Sequence, residues 1–485
     1  MDYITLLLLF SFVWSCVKVL TIGFTNRKSG VARLPPGPRP FPIIGNLLKL
    51  GEKPHQSLTI LSKTYGPLMS LKLGSTTTIV VSSSEAAQEV LNKMTKPFPA
   101  GQSSMPSKLP TITIFNSILP ASAHWRNLRK ICSKQMFSSH RVKAGQAMRE
   151  NIVQQLLGHA QESCSSGRAV DIGRATFTTT LNLLSNTIFS VNLAHYNSNF
   201  SQEFKDLIWS IMEEAGKPNL ADFFPVLRLV DPQGILKRMT VCFNKLVEVF
   251  DGFIEQRLPL KASSANNDVL DGLLNLDKQH DHELSSNDVR HLLVDLFSAG
   301  TDTTSSTVEW AMAELLNNPK SMAKARSELG KVVGKEKMVE ESDISKLPYL
   351  QAVVKETFRL HPPVPFLVPR KTEMKSEILG YAVPKMLMYS TIWSNPNSFV
   401  PERFLECEID VKGRDFQLIP FGAGRRICPG LLLGHRMVHL MLASLLHSFD
   451  WKLEDGLKPE NMDMTEKFGF TLRKAQPLQA VPIKP

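Results

Sequence analysis

The chain has 485 residues, 43% hydrophobic and 21% charged, with 56 Lys and Arg against 45 Asp and Glu for a formal net charge of +11. That apolar content sustains a large core and excludes general disorder, and 27 Gly and 31 Pro are too few and too scattered for a fibrous chain. The cysteines Cys16, Cys132, Cys164, Cys242, Cys407 and Cys428 form no Cys-x-x-Cys pair, which argues against a zinc ribbon or a disulfide framework and for a reducing compartment.

The basic excess is spread along the chain without interleaved aromatics, so no nucleic acid is expected as a partner. A solvated basic surface, an anionic membrane and an acidic protein partner all remain consistent with it. Tyr3 to Val17 carries no charge and Tyr3 to Phe24 only Lys18, close to the ~20 apolar residues that span a bilayer. Arg27, Lys28 and Arg33 follow, which by the positive-inside rule puts the bulk of the protein on the cytoplasmic side. Their place after the apolar run is the wrong polarity for a cleaved signal peptide. Residues 1–25 are therefore expected to be a retained single-pass transmembrane anchor.

Residues 26–45 read as a basic, proline-rich hinge. Its stretch Leu34-Pro-Pro-Gly-Pro-Arg-Pro-Phe-Pro42 cannot be helix or central strand and reads as a stiff spacer or as a partner-binding peptide. Residues 46–485 are expected to form the main domain, mostly α with a minor β part. Strand-like runs are short, as at Leu68 to Leu73 and Thr78 to Ser82. Ala262 to Asp268 and His280-Asp-His-Glu283 read as a polar loop between helices. Arg290 to Asn318 predicts a long helix with Ser285, Ser286 or Asn287 as N-cap and Pro319 as stop. Leu433, Met437, Leu440, Met441 and Leu445 repeat at helical spacing in another.

Several segments carry chemistry. Trp125-Arg-Asn-Leu-Arg129 alone is a solvated basic face. In Ala299-Gly-Thr-Asp-Thr-Thr304, Gly and adjacent Thr weaken a helix interior, and a Thr hydroxyl can bond back to the previous turn; a kinked core helix and a polar pair in a dry helix are both open. Glu356-Thr-Phe-Arg359, before His361-Pro-Pro363, is an i,i+3 ion pair. The strongest signal is Phe421-Gly-Ala-Gly-Arg-Arg-Ile-Cys-Pro-Gly430. A cysteine just before a helix, beside an Arg, sits where thiolate is favoured over thiol. The glycines let backbone approach a flat ligand and aim amide hydrogens at the sulfur.

Phe421, Gly424, Arg426, Cys428 and Gly430 fit the pattern FxxGxRxCxG, and this loop resembles the haem-binding loop of the cytochrome P450 superfamily. The resemblance implies the cytochrome P450 fold and haem b, with the Cys428 thiolate as axial ligand and metal site. Glu356 and Arg359, joined by Arg403 from Pro401-Glu-Arg-Phe404, are similar to the family's buried structural network. Thr303 would hydrogen-bond bound dioxygen and Asp302 would help relay protons to it. Trp125, Arg129, Arg426 and, from its place after Pro369, Arg370 would meet the haem propionates. Ile114, Phe115, Ala299, Val364 to Val368 and Phe468 are expected to line a substrate pocket.

The chain shows no flavin or nicotinamide fingerprint, so NADPH is expected to act only through a separate cytochrome P450 reductase, whose acidic surface suits the basic excess. The other expected partners are O2, a small apolar substrate and membrane lipid, and the expected location is the endoplasmic reticulum membrane. Asp222 to Gly234, Leu296 to Asp302 and Met464 to Ala475 are similar to the plant microsomal subfamily that contains geraniol 8-hydroxylases and related terpenoid hydroxylases. This implies hydroxylation of a terpenoid such as a monoterpene alcohol.

One departure stands out. Only Met386 to Thr391 separates Val383-Pro-Lys385 from Ile392-Trp-Ser-Asn-Pro396, where members of the family carry a longer stretch. The shortening predicts a missing strand in the small sheet, and with it an alternative reading as a degenerate or inactive paralogue.

Overall fold

The computed structural model describes residues 33–93, 122–257, 268–276, 284–334, 336–368, 370–371, 376–383, 386–389 and 397–484. The expected anchor over residues 1–25 and the pocket candidates Ile114 and Phe115 lie outside them. Among the described residues no helix is long and apolar enough to cross a membrane. The architecture is mainly helical with small sheets, as the sequence predicts. Its contacts divide the chain into two units, one of Met1–Lys96, Leu220–Val230 and Phe366–Trp393, the other of the remainder.

In the smaller unit, α1 (Pro54–Tyr65) opens on a proline, harmless in a first turn that has no partner for its N–H. The hairpin β1 (Leu68–Leu73) and β2 (Thr76–Val81) follows, then α2 (Ser84–Lys93). Its two-residue turn holds Gly74 at φ +53°, and a side chain there would meet Phe223 and Phe224 at 2.9 Å. Leu50, Leu58, Met69, Leu71, Leu73, Val80 and Phe223 close a core around the hairpin.

Residues 34–40 of the proline-rich stretch are neither helix nor strand, as expected, but the stretch is docked rather than a free-standing spacer. Prolines lack N–H groups yet still offer carbonyls. Ser70 donates its N–H to Pro36 O (2.8 Å) and its hydroxyl to Pro35 O (2.7 Å). Asn46 donates its amide to Arg39 O (3.1 Å) and accepts the Lys72 N–H (2.8 Å).

The shortened stretch carries the kind of strand it was expected to lack. After β3 (Arg370–Lys371) and the hairpin of β4 (Ser376–Ile378) with β5 (Tyr381–Val383), β6 (Met386–Tyr389) lies parallel to β2 and antiparallel to β3. The order is β1-β2-β6-β3. Met-Leu-Met-Tyr is short but apolar and ends on an aromatic, which suits pairing to the open edge of β2.

The larger unit holds α3 (Ala123–Gln135), α4 (Ser139–Ala144), α5 (Gln146–Ser166), α6 (Ile172–Phe189), α7 (Asn199–Gly216), α8 (Ile235–Arg257), α9 (Val269–Leu276), α10 (Ser286–Asn317), α11 (Pro319–Val332), α12 (Pro348–Leu360) and α13 (Leu431–Ser448). Helix α9 was not expected; Asp268 accepts the Asp271 N–H at its start (3.0 Å). Two small sheets close the unit. Strand β7 (Asp450–Leu453) pairs with the later β10, and β8 (Glu466–Phe468) pairs with β9 (Leu472–Lys474); β10 (Gln479–Ile483) also pairs with residues 170–171.

Helix α10 is the axis of this unit. Ser285 caps it in a reciprocal box with Asp288, and Pro319 starts the next helix. The kink that Gly300 and its neighbouring threonines could have caused does not break the helix. Instead the hydroxyls of Thr301, Thr303, Ser305 and Thr307 donate to the carbonyls of Phe297 (2.6 Å), Ala299 (2.8 Å), Thr301 (2.9 Å) and Thr303 (2.7 Å). The polar side chains thus satisfy themselves inside a dry helix. Close approach of α6 needs small residues: a Cβ on Gly300 would meet Leu184 at 2.9 Å. Beside it Phe297 packs against Phe189, Phe204 and Phe250, with ring centroids 4.8–6.2 Å apart. Each such pair contributes about 0.5–1.5 kcal/mol beyond its buried area.

Candidate active site

The loop before α13 is shaped by glycine. Gly422 and Gly424 adopt φ +71° and +68°, conformations costly for any other residue. The Cys428 N–H donates to Phe421 O (2.8 Å) and closes the loop. Gly413 (φ +76°) supports it from behind, where a Cβ would meet Gly422 O at 2.8 Å. Cys428 is half-buried, and its sulfur accepts from the amides of Gly430 and Leu431 at the start of α13. Burial pushes the thiol up, and those two amides and the charge of Arg129 only partly offset it. A metal cation at the sulfur would take the thiolate outright.

Helix α3 brings its expected pair to the loop. Ser122 caps α3 by accepting the Trp125 N–H (3.1 Å). One turn on, Arg129 donates to the Ile427 carbonyl. The Arg426 guanidinium lies over the Trp125 ring, 4.8 Å from its centroid. Trp125, Arg129 and Arg426 therefore meet at one edge of the loop, two cations beside an indole, a setting that suits carboxylates.

Helix α10 passes the same loop. Thr304 Oγ1 and Phe421 lie 3.9 and 3.8 Å from where a Cβ on Gly434 of α13 would be. Between Leu292 and Leu316 every residue is buried except Ala299, Gly300 and Thr303. Ala299 and Thr303 are one turn apart, so they share a face, and this face opens in the middle of an otherwise dry helix. The Thr303 hydroxyl donates to Ala299 O on that face. Asp302 points elsewhere, because consecutive helical residues diverge by about 100°. It is 5% exposed, and its Oδ2 accepts the hydroxyl of Thr471. Burial pushes the Asp302 carboxyl up, opposed by Thr471 and by the charges of Arg473 and Lys205. The two residues expected to act together are neighbours whose polar atoms have different partners.

The buried network forms as expected. Glu356 accepts Arg359 Nε (2.7 Å) and Nη2 (2.9 Å), Arg403 Nε (3.0 Å) and the Val400 N–H (2.8 Å); Arg359 also donates to Ser398 O (2.9 Å). Phe358, between the paired residues of α12, meets Phe421 edge-on with centroids 5.3 Å apart. Through it the network abuts the cysteine loop.

Of the remaining candidates only the place in their own unit is described. Arg370 lies on β3 of the smaller unit, with its side chain outside the described set. Val364, Val368 and Phe468 are half-buried. Sequence reasoning missed Gly413, Phe358 and Thr471. Gly413, between Lys412 and Arg414, carried a turn signal; the other two act through contacts distant in sequence and carried none.

A flat, carboxylate-bearing iron macrocycle suits these groups: one sulfur held by helix N-terminal amides, two cations beside Trp125, and an open face on α10. A family model described as Cytochrome P450 matches residues 35–479. A geraniol 8-hydroxylase from Catharanthus roseus is 51% identical, and one from Swertia mussotii 50%, each alignment covering 99% of both chains. A protein named Cytochrome P450 76T24, from Catharanthus roseus, is 50% identical over 100% of this chain and 99% of its own. That alignment runs to 497 positions against 485 residues here, so this relative carries residues with no counterpart.

Proposed function

The chain belongs to the cytochrome P450 family, and from that premise we propose that it hydroxylates a small apolar terpenoid, of the monoterpene-alcohol class, with electrons passed from NADPH by a cytochrome P450 reductase. Bound haem b supplies dioxygen activation, as in the family at large. This chain supplies the rest. Cys428 would hold the iron through its sulfur, which the Gly430 and Leu431 amides orient. Arg129, Arg426 and Trp125 would hold the propionates. The Ala299–Thr303 face would receive dioxygen and substrate, and Asp302, the residue before Thr303, would relay protons toward it. The observation that carries the substrate class is full-length identity of 50–51% to two geraniol 8-hydroxylases. The inactive alternative rested on a missing strand, and β6 pairs where the chain is short.

Electron delivery is supported by charge. Arg126, Lys130, Lys134, Arg141, Lys143, Lys412, Arg414 and Arg425 are exposed on the segments that frame the loop, a surface suited to an acidic donor. Lys130→Glu combined with Arg141→Glu is expected to lower reductase-supported turnover about tenfold at low salt, with the gap narrowing as salt rises. Equal loss at all ionic strengths in a reductase titration would contradict this docking surface.

We place the protein at the endoplasmic reticulum membrane with its catalytic part cytoplasmic. Within the smaller unit, Phe41, Ile43, Val226, Leu229 and Val230 are exposed apolar residues on segments that both bond to the β1–β2 turn, through Ile44 O and Phe223 O. Microsomes containing the full chain and a plant reductase should hydroxylate geraniol or a related alcohol, and lose that activity without NADPH. A haem-loaded protein that leaves every monoterpene alcohol unchanged would overturn the substrate class.

A further inference from the structure

We infer that Thr471 is a positioning residue for proton delivery: by donating its hydroxyl to Asp302 Oδ2, it holds that carboxyl on the hairpin side of α10 and sets the side from which the acid is reloaded. The inference rests on the monooxygenase chemistry and on no choice of substrate.

The hairpin of β8 and β9 is pinned on both sides of Thr471. Phe470 donates its N–H to Met212 O (2.7 Å), and Leu472 donates its own to Pro363 O (2.8 Å). Ser306 of α10 donates its hydroxyl to Leu472 O (2.9 Å). A Cβ on Gly216 would fall 2.2 Å from Gly469, so α7 presses on the hairpin tip. The hydroxyl of Thr471 therefore has little freedom, and neither does the carboxyl it holds.

Charged groups face this point from each element packed around it. Arg473 of β9 and Lys205 of α7 act on Asp302 itself. Arg473 in turn feels Glu309 of α10 and Glu213 and Asp206 of α7. Its guanidinium lies on the Trp209 ring, 3.6 Å from the centroid, and its buried Nε has no partner. For each of the two protons that a turnover consumes, Asp302 gives one toward the Thr303 face and takes one back, leaving its charge unchanged. The structure assigns the returning proton to the Thr471–Arg473 side, where the carboxyl oxygen already has its hydrogen-bond partner.

Infrared difference spectra of the ferric holoenzyme, taken across pH and corrected with Asp302→Asn, give the midpoint at which Asp302 loses its proton. In Thr471→Val that midpoint should rise by about one pH unit, because the carboxylate loses a donor. Thr471→Ser should restore it. With reductase and any accepted substrate, the valine variant should release several-fold more of the NADPH electrons as hydrogen peroxide, with KM held within about twofold. If that variant does not retain haem, Thr471→Ala carries the same two expectations. An unchanged midpoint with unchanged peroxide release overturns the inference, as does a serine variant that behaves like valine. A wrong terpenoid assignment would change the compound oxidised and leave the midpoint where it is.

Discussion

Replacement of Cys428 by serine is expected to abolish the haem-thiolate spectrum and reduce hydroxylation to background. The sulfur is the one soft donor presented by the loop, and a serine hydroxyl stays protonated where a thiol yields a thiolate. The loop itself should survive. Its closing bond is the residue-428 N–H to Phe421 O, and its turns rest on Gly422 and Gly424, none of which depends on the sulfur. The variant should therefore melt close to the wild-type apoprotein while losing the signature. A serine variant that kept a red-shifted carbon monoxide band would show that Cys428 is not the ligand.

The second large effect is expected at Glu356. This carboxylate is wholly buried and receives Arg359, Arg403 and the Val400 N–H. Glu356→Gln leaves two guanidiniums facing a neutral amide in the interior. Breaking a buried ion pair from one side costs about 3–5 kcal/mol, a large share of the roughly 5–15 kcal/mol that keeps a domain folded. The charges gained by burial are not themselves the benefit; the network fixes how α12, residues 397–404 and, through Phe358, the cysteine loop meet. Thermal melting and haem content of the purified variant should both fall sharply. Wild-type melting and full haem content in Glu356→Gln would mean the network is decoration.

What could be read from the sequence was what is local. The cap at Ser285, β1 between Leu68 and Leu73, and the cysteine loop follow from residues close together in the chain. So does the pairing of Glu356 with Arg359, since i and i+3 share a helix face. The partners that complete these features come from far along the chain. Ser398 O accepts Arg359 from 39 residues away and the Val400 N–H reaches Glu356 from 44 residues away, and Thr471 reaches Asp302 from 169 residues away. The segment 34–39 looked like a spacer because prolines announce what they cannot donate, while the carbonyls that dock it on Ser70 are silent in sequence. For β6 the length of the stretch suggested a loss, but four apolar residues beside the edge of β2 are enough to pair.

The central claim is that this chain holds haem through Cys428 despite its shortened stretch. The measurement that tests it most directly is the carbon monoxide difference spectrum of the reduced full-length protein in membranes. A strongly red-shifted Soret band, absent in Cys428→Ser, is the predicted result. A band at the unshifted position, or no band from protein shown to be folded and present in the membrane, would contradict it.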